Sequence, residues 1–267
     1  MAKKYFIIIN LLFIIAIPIW WFSLAAVMNF DIGFKFGPHD DLELGNVYSN
    51  LIFFGSAGVV LIIIGIHLLS KYNKNKKDSA LILGTYNLIL GCAACYESIR
   101  KFIDFTRKFD TAREDLTFVL MSWAVIFFFL FLQEILRGNF KFENHRVTHT
   151  SFIIIMVTVN FFVMLWPFYY EFEVIKYIGV ATLGITVVVL SIWQIRSALR
   201  LRKKSSEKVV KQGLAMIALS GVFYIVAVIT LALIEVDPIF DMIVPMVILV
   251  LAIVTYMGYV FPSKKRT

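Results

Sequence analysis

The chain has 267 residues, 60% of them hydrophobic and only 16% charged, with a formal net charge of +8 and a mean hydropathy of +0.83. A soluble domain averages about 45–50% apolar and about 25% charged residues, so this excess cannot hide in a water-facing core and needs lipid as the solvent for much of the surface. The positive balance does not mark a nucleic-acid binder, because Lys and Arg cluster in the gaps between apolar runs, and two cysteines, Cys92 and Cys95, are too few for a disulfide framework.

Stretches of roughly 20 apolar residues, the length needed to cross a bilayer as a helix, occur eight times. They cover approximately residues 5–28, 47–69, 79–96, 117–136, 150–169, 174–195, 209–234 and 239–261. They are continuously apolar rather than alternating, which predicts helices and not barrel strands. The expected architecture is an all-α, polytopic membrane bundle of eight helices. Residues 1–28 form an N-terminal anchor helix or a signal peptide, 29–46 an acidic outer loop, 47–262 a seven-helix core and 263–267 a basic cytoplasmic tail. The basic Lys3-Lys4 start and the small residues Ser23 and Ala25 favour a signal peptide, and the bulky Trp20-Trp21-Phe22 favours an uncleaved anchor.

Charge predicts orientation. With both termini inside, 19 of the 26 Lys and Arg fall on the cytoplasmic side and only 4 of the 18 Asp and Glu do. That is the distribution the positive-inside rule describes, and it predicts a multi-pass protein of the cell membrane. The densest cluster is the linker from Arg196 to Lys211, with seven basic residues against the single acid Glu207. The connection after the third run keeps a helical period from Glu97 to Thr111. Arg100, Lys101 and Asp104 lie on one face and Phe102, Ile103 and Phe105 gather on the other, which predicts a helix lying in the outer interface or a lid over a cavity.

Chemistry-bearing residues are sparse. No run carries a central Lys, Arg, Asp or Glu, the usual mark of a proton or ion path, and Glu134 and His67 sit where they can snorkel to water. Cys92-Ala93-Ala94-Cys95 has the spacing of a redox pair, as in membrane thiol oxidoreductases, but no second pair exists to relay electrons. The alternative is a small-residue patch with Gly91 for close helix packing. His145 and His149 have chelating spacing but basic neighbours. The acids around Asp40, Glu173 and Asp237 follow from the orientation bias as readily as from a cation site, so no metal and no cofactor are expected. If the bundle holds a pocket, its polar lining is expected from Asn87, Trp123, Asn160, Trp166, Gln194 and Tyr224, with Tyr86 and Gln133 as further polar residues within the runs.

The basic segment Arg200-Leu201-Arg202-Lys203-Lys204 leads into the seventh run, and the eighth ends in Tyr256-Met257-Gly258-Tyr259-Val260-Phe261-Pro262 with a basic tail. From about residue 47 to 262 this resembles the seven-helix membrane sensor modules at the N-termini of prokaryotic, especially archaeal, histidine kinases. The resemblance implies a sensor-like or receptor-like bundle. The kinase that follows those modules has no counterpart here, so the expected output is a cytoplasmic signalling partner at the Arg196 to Lys211 linker. A small transporter or channel subunit, and a thiol oxidoreductase using Cys92 and Cys95, are the alternatives.

Overall fold

Hydrocarbon offers no partner for backbone N–H and C=O groups, so a long apolar run is stable there only when it closes its own hydrogen bonds as a helix. The computed structural model describes residues 34–35, 44–75, 77–107, 110–111, 114–137, 173–233 and 239–260. Among them are six helices: α1 (Leu44–Asn75), α2 (Asp78–Arg107), α3 (Glu114–Arg137), α4 (Glu173–Lys204), α5 (Lys208–Leu233) and α6 (Ile239–Val260). Five contain stretches long and apolar enough to span a membrane, Leu51–Asn75, Asp78–Ile99, Val180–Lys204, Lys208–Ala232 and Ile243–Val260, and α3 carries the shorter apolar stretch Leu120–Leu136. This is a multi-pass helical membrane protein. The first and fifth apolar runs, the acids near Asp40, His145, His149 and the basic tail lie outside the described residues.

Three boundaries differ from the expectation. The amphipathic segment after the third run is not a separate interfacial helix: α2 continues unbroken to Arg107. No Gly or Pro interrupts it between Cys92 and Arg107, and oppositely charged pairs four apart, Arg100 with Asp104, favour continuation. The basic linker is also mostly helix, since α4 runs through Lys204 and only residues 205–207 separate it from α5, whose first turn opens on a 3.0 Å bond from the Lys211 amide to the Glu207 carbonyl. The third is a small addition to what is otherwise, among the described residues, an all-helical fold. A two-residue antiparallel ladder, β1 (Phe34–Lys35) with β2 (Asp110–Thr111), ties the segment before α1 to the segment after α2.

Each helix packs closely on a sequence neighbour, the α3–α4 pair alone meeting more lightly, and α6 returns against α1 to close the bundle. Lipid gives helices no hydrophobic reason to associate, so small residues that let backbones approach are what make such contacts favourable. Along α1 and α2 the contact falls on Gly58 against Gly91 and on Gly65 against Gly84, seven residues apart on each helix. A Cβ on Gly91 would stand 2.9 Å from the Gly58 carbonyl oxygen, and one on Gly84 3.1 Å from that of Gly65. The α5–α6 contact repeats the device, with Gly258 over the Gly213 carbonyl at 3.0 Å.

The remaining surface of these helices is apolar and exposed. On α5 it is Leu219, Val222, Val226 and Ile229, and on α6 Ile243, Met246, Val250 and Ile253, spaced three and four apart as one helical face requires. These are lipid-facing stripes. The hydroxyls of Thr182, Thr186, Ser191, Thr230 and Thr255 each donate to the carbonyl four residues back, at 2.7–2.8 Å, so they add no unsatisfied donor to the apolar helices. The exception is α3, where every residue from Ser122 to Gln133 is buried and Phe127, Phe128 and Phe131 are essentially inaccessible. A helix apolar on all sides belongs at the centre of a bundle.

The close glycine contact makes a direct prediction. Gly91→Ala places a methyl against backbone that cannot move aside and should destabilise the purified protein by about 1–3 kcal/mol, as overpacking does. Gly184→Ala, whose Cβ would meet only Val228 at 3.4 Å, should leave the thermal unfolding midpoint nearly unchanged. Equal midpoints for the two variants would remove the α1–α2 contact as a determinant of stability.

Candidate functional site

Three polar levels interrupt the apolar interior, and the middle one is the most developed. Tyr86 on α2 and Tyr224 on α5 share a hydrogen bond between their hydroxyls, both side chains being buried. Phe128 of α3 packs on both rings, its centroid 5.7 Å from that of Tyr86 and 4.3 Å from that of Tyr224. One turn back along α5, Ser220 accepts a 2.8 Å hydrogen bond from the amide of Gln194 on α4, which also donates to the Ile217 carbonyl at 2.6 Å. Gln194 is fully buried. The result is a polar seam from α4 through α5 to α2, backed by the aromatic face of α3.

The seam is not internally satisfied. Gln194 spends its amide group while its Oε1 has no donor, and Asn87 donates to the Leu83 carbonyl at 2.7 Å while its Oδ1 has none. Thr85 Oγ1 and Gln133 Oε1 are likewise buried without a hydrogen-bond partner. Most of these oxygens are acceptors, and a buried acceptor without a donor costs about 1–3 kcal/mol. Of the six residues expected to line a pocket, Tyr224 and Gln194 belong to the seam. Asn87 is the helical neighbour of Tyr86, Trp123 is buried on α3, and Asn160 and Trp166 lie outside the described residues.

At one end of the bundle, Ser79 on α2 and Tyr259 on α6 share a 3.0 Å hydrogen bond, Phe131 of α3 meets the Tyr259 ring edge-on at 6.0 Å, and His67 of α1 meets Tyr256 at 6.0 Å. These contacts place the end of α1, the start of α2 and the end of α6 together, and the Gly213–Gly258 contact adds the start of α5. Exposed Lys74, Lys77, Arg196, Arg200, Lys208 and Lys211 therefore share this end with the short α4–α5 turn. Glu134 belongs to the same level. The residue is half-buried, with its Oε2 enclosed without a hydrogen-bond partner.

The opposite end holds a residue that sequence reasoning missed. Glu97, read as the start of a surface segment, is buried on α2 and accepts a 2.8 Å hydrogen bond from Thr117 Oγ1 of α3. The next residue, Ser98, donates to the Leu51 carbonyl of α1 at 2.9 Å. The signal was present: Leu83, Tyr86, Leu90, Ala93 and Glu97 continue one buried face at spacings of three and four.

Of the two cysteines, Cys95 is the one set against a neighbouring helix. Ala93 and Ala94 are buried, Cys92 is exposed and Cys95 half-buried, and both thiols are free. Cys95 lies over Gly58, where an added Cβ would come within 2.5 Å of its Sγ. Among the described residues no group of three His, Cys, Asp or Glu could hold a metal ion. Compared with protein-family models, curated proteins and solved structures, the chain finds no match in any of the three.

Two substitution series probe this interior. Tyr86→Phe and Tyr224→Phe should each destabilise the protein, and the double variant should cost less than their sum by about 0.6–1.7 kcal/mol, the range for interhelical hydrogen bonds in membranes. Additive losses would mean that the two hydroxyls do not couple. Replacing Cys92 and Cys95 together by Ala should leave expression and unfolding temperature nearly intact. A reductant-dependent change in thiol labelling, with loss of function in both single variants, would instead establish a redox pair.

Proposed function

We propose that this chain is a receptor-like bundle of the cell membrane, crossing the bilayer eight times with both termini in the cytoplasm. Its interior seam takes a small hydrogen-bond-donating ligand, and its basic end couples to a cytoplasmic partner. The observation that carries this reading is the seam itself: three helices meet at buried polar side chains against the aromatic face of α3, and Gln194 Oε1 within it, like Asn87 Oδ1 and Gln133 Oε1 elsewhere in the interior, has no donor from the protein. A ligand presenting N–H or O–H groups would supply what those oxygens lack, and binding would be favoured by the desolvation already incurred. The resemblance to prokaryotic sensor modules points the same way, and the cluster of exposed cations around the α4–α5 turn supports contact with an acidic surface at that end.

The alternatives fit less well. A transporter or channel needs a continuous polar path, whereas among the described residues α3 is apolar and buried without a break from Trp123 to Leu132. A thiol oxidoreductase needs a relay that the sequence does not carry, and Cys95 is engaged in packing.

Topology and binding are tested separately. Reporter fusions after Lys77, Arg146, Lys204 and Arg266 should read as cytoplasmic, and fusions near Asp40, Arg107, Glu173 and Asp237 as external; exchange of sides at two consecutive positions would sink the eight-crossing arrangement. For binding, the purified chain is screened by thermal shift against small polar metabolites, beside the Asn87→Leu and Gln194→Leu variants. The receptor reading expects a compound that raises the midpoint of the wild type and not of one or both variants. Stabilisation that is identical in all three proteins would place any binding elsewhere and remove the seam as the ligand site.

A further inference from the structure

The outward face of α4 changes chemistry without changing direction. Ile178, Ile185, Val189 and Ile192 are exposed at spacings of seven, four and three, and form the lipid-facing stripe of this helix. Continuing at the same spacing, four, three and four residues on, come Arg196, Leu199 and Lys203, with Arg200 beside them, and all four are exposed. The opposite face of the helix carries Leu190, Ser191, Gln194 and Ala198, all buried against the bundle. At about 100° per residue, Arg196, Arg200 and Lys203 therefore stand directly above the acyl-facing stripe, whereas Arg202 and Lys204 are turned away from it to either side.

We propose that Arg196, Arg200 and Lys203 form a site for the phosphate of an anionic glycerophospholipid whose acyl chains lie along Ile185, Val189 and Ile192. The proposal rests on the membrane-spanning nature of α4 and not on the receptor reading, so either can fail alone. Charge complementarity and register both select this occupant. No ion-pair partner of the three cations is found among the described residues, and they stand about one, two and three turns beyond Ile192, where the apolar stripe ends and the headgroup layer begins. Lys and Arg at the end of a lipid-exposed helix extend their stems along the apolar surface and place their charges at the headgroup level. A soluble polyanion or an acidic protein would use the exposed cations of the turn without regard to which face they occupy. A lipid, held by its chains on one face, would use only the three above the stripe.

That difference is the test. The full chain is purified in neutral detergent and titrated with phosphatidylglycerol or with phosphatidylcholine of the same acyl chains, and bound lipid is read by native mass spectrometry. The wild type should prefer phosphatidylglycerol. The triple variant Arg196→Gln, Arg200→Gln, Lys203→Gln should lose that affinity by roughly tenfold or more, while Arg202→Gln, Lys204→Gln should keep it within about twofold. If the triple variant does not hold its fold, the single substitutions carry the comparison, each expected to weaken binding about threefold to fivefold. No preference in the wild type, or equal loss in the two sets of variants, would overturn the site. Competition by glycerol phosphate as strong as that of the lipid would also overturn it, in favour of a free anion.

Discussion

Helices in hydrocarbon have no hydrophobic reason to associate, because a lipid tail is as apolar as a leucine, and the whole bundle depends on how this chain answers that constraint. It answers with close backbone approach, at Gly58 against Gly91, Gly65 against Gly84 and Gly213 against Gly258. There, small residues convert two helices into one surface through dispersion contacts that a larger side chain would break. The seven-residue interval between Gly58 and Gly65, and between Gly84 and Gly91, keeps the contact on one line as the helices wind past each other. Once α1 and α2 are so joined, α2 presents Tyr86, Ala93 and Glu97 inward, and α3 is enclosed behind them. The polar levels exist because this enclosure leaves α3 and its neighbours no open side.

Much of this was legible from residue order. The positions of the described runs, their helical character and the concentration of cations at one end follow from composition and period, because the bilayer imposes one length and one backbone solution. What escaped is instructive. The end of α2 was misread because a charged residue, Glu97, was taken as the end of a buried face, when a partner on another helix, Thr117, helps make its burial tolerable. Local sequence cannot announce a partner 20 positions away. The basic linker looked like a loop because charge was weighed above helix propensity, yet Arg, Lys, Leu and Ala are all good helix formers and nothing between Arg196 and Lys204 breaks the pattern. The central burial of α3 was invisible for a different reason. A run apolar on every side looks the same whether lipid or protein surrounds it, and only packing decides which.

Of the residues picked as a pocket lining, Gln194 and Tyr224 do meet at one seam beside Ser220, whereas Asn87 and Trp123 are buried on α2 and α3. Polar type was enough to nominate them, since a buried amide or phenol in a membrane helix must find a partner or cost stability. It was not enough to pair them, because the Tyr86–Tyr224 contact joins positions 138 residues apart. Phe128, which both tyrosine rings pack against, carries no polar signal and could not have been nominated by that criterion.

The α4–α5 hairpin joins the features on which the functional reading turns. Its α5 arm carries Ser220 and Tyr224 in the seam, and its α4 arm carries Gln194 there. The same two arms, two to three turns further along, end in the exposed cations of the short turn. A ligand can shift a protein only by its differential affinity for two arrangements. On the proposed reading those arrangements differ in whether Tyr224 bonds to Tyr86 or to the ligand, which is a choice between holding α5 against α2 and releasing it. Only three residues separate the helices at the turn, so α5 cannot be displaced without carrying the end of α4 with it. An anionic lipid on Arg196, Arg200 and Lys203 would fix the α4 arm to the bilayer surface and leave α5 as the element free to respond. The seam and the basic end would then be two sites biasing one rigid hairpin, which is the physical requirement for coupling between them.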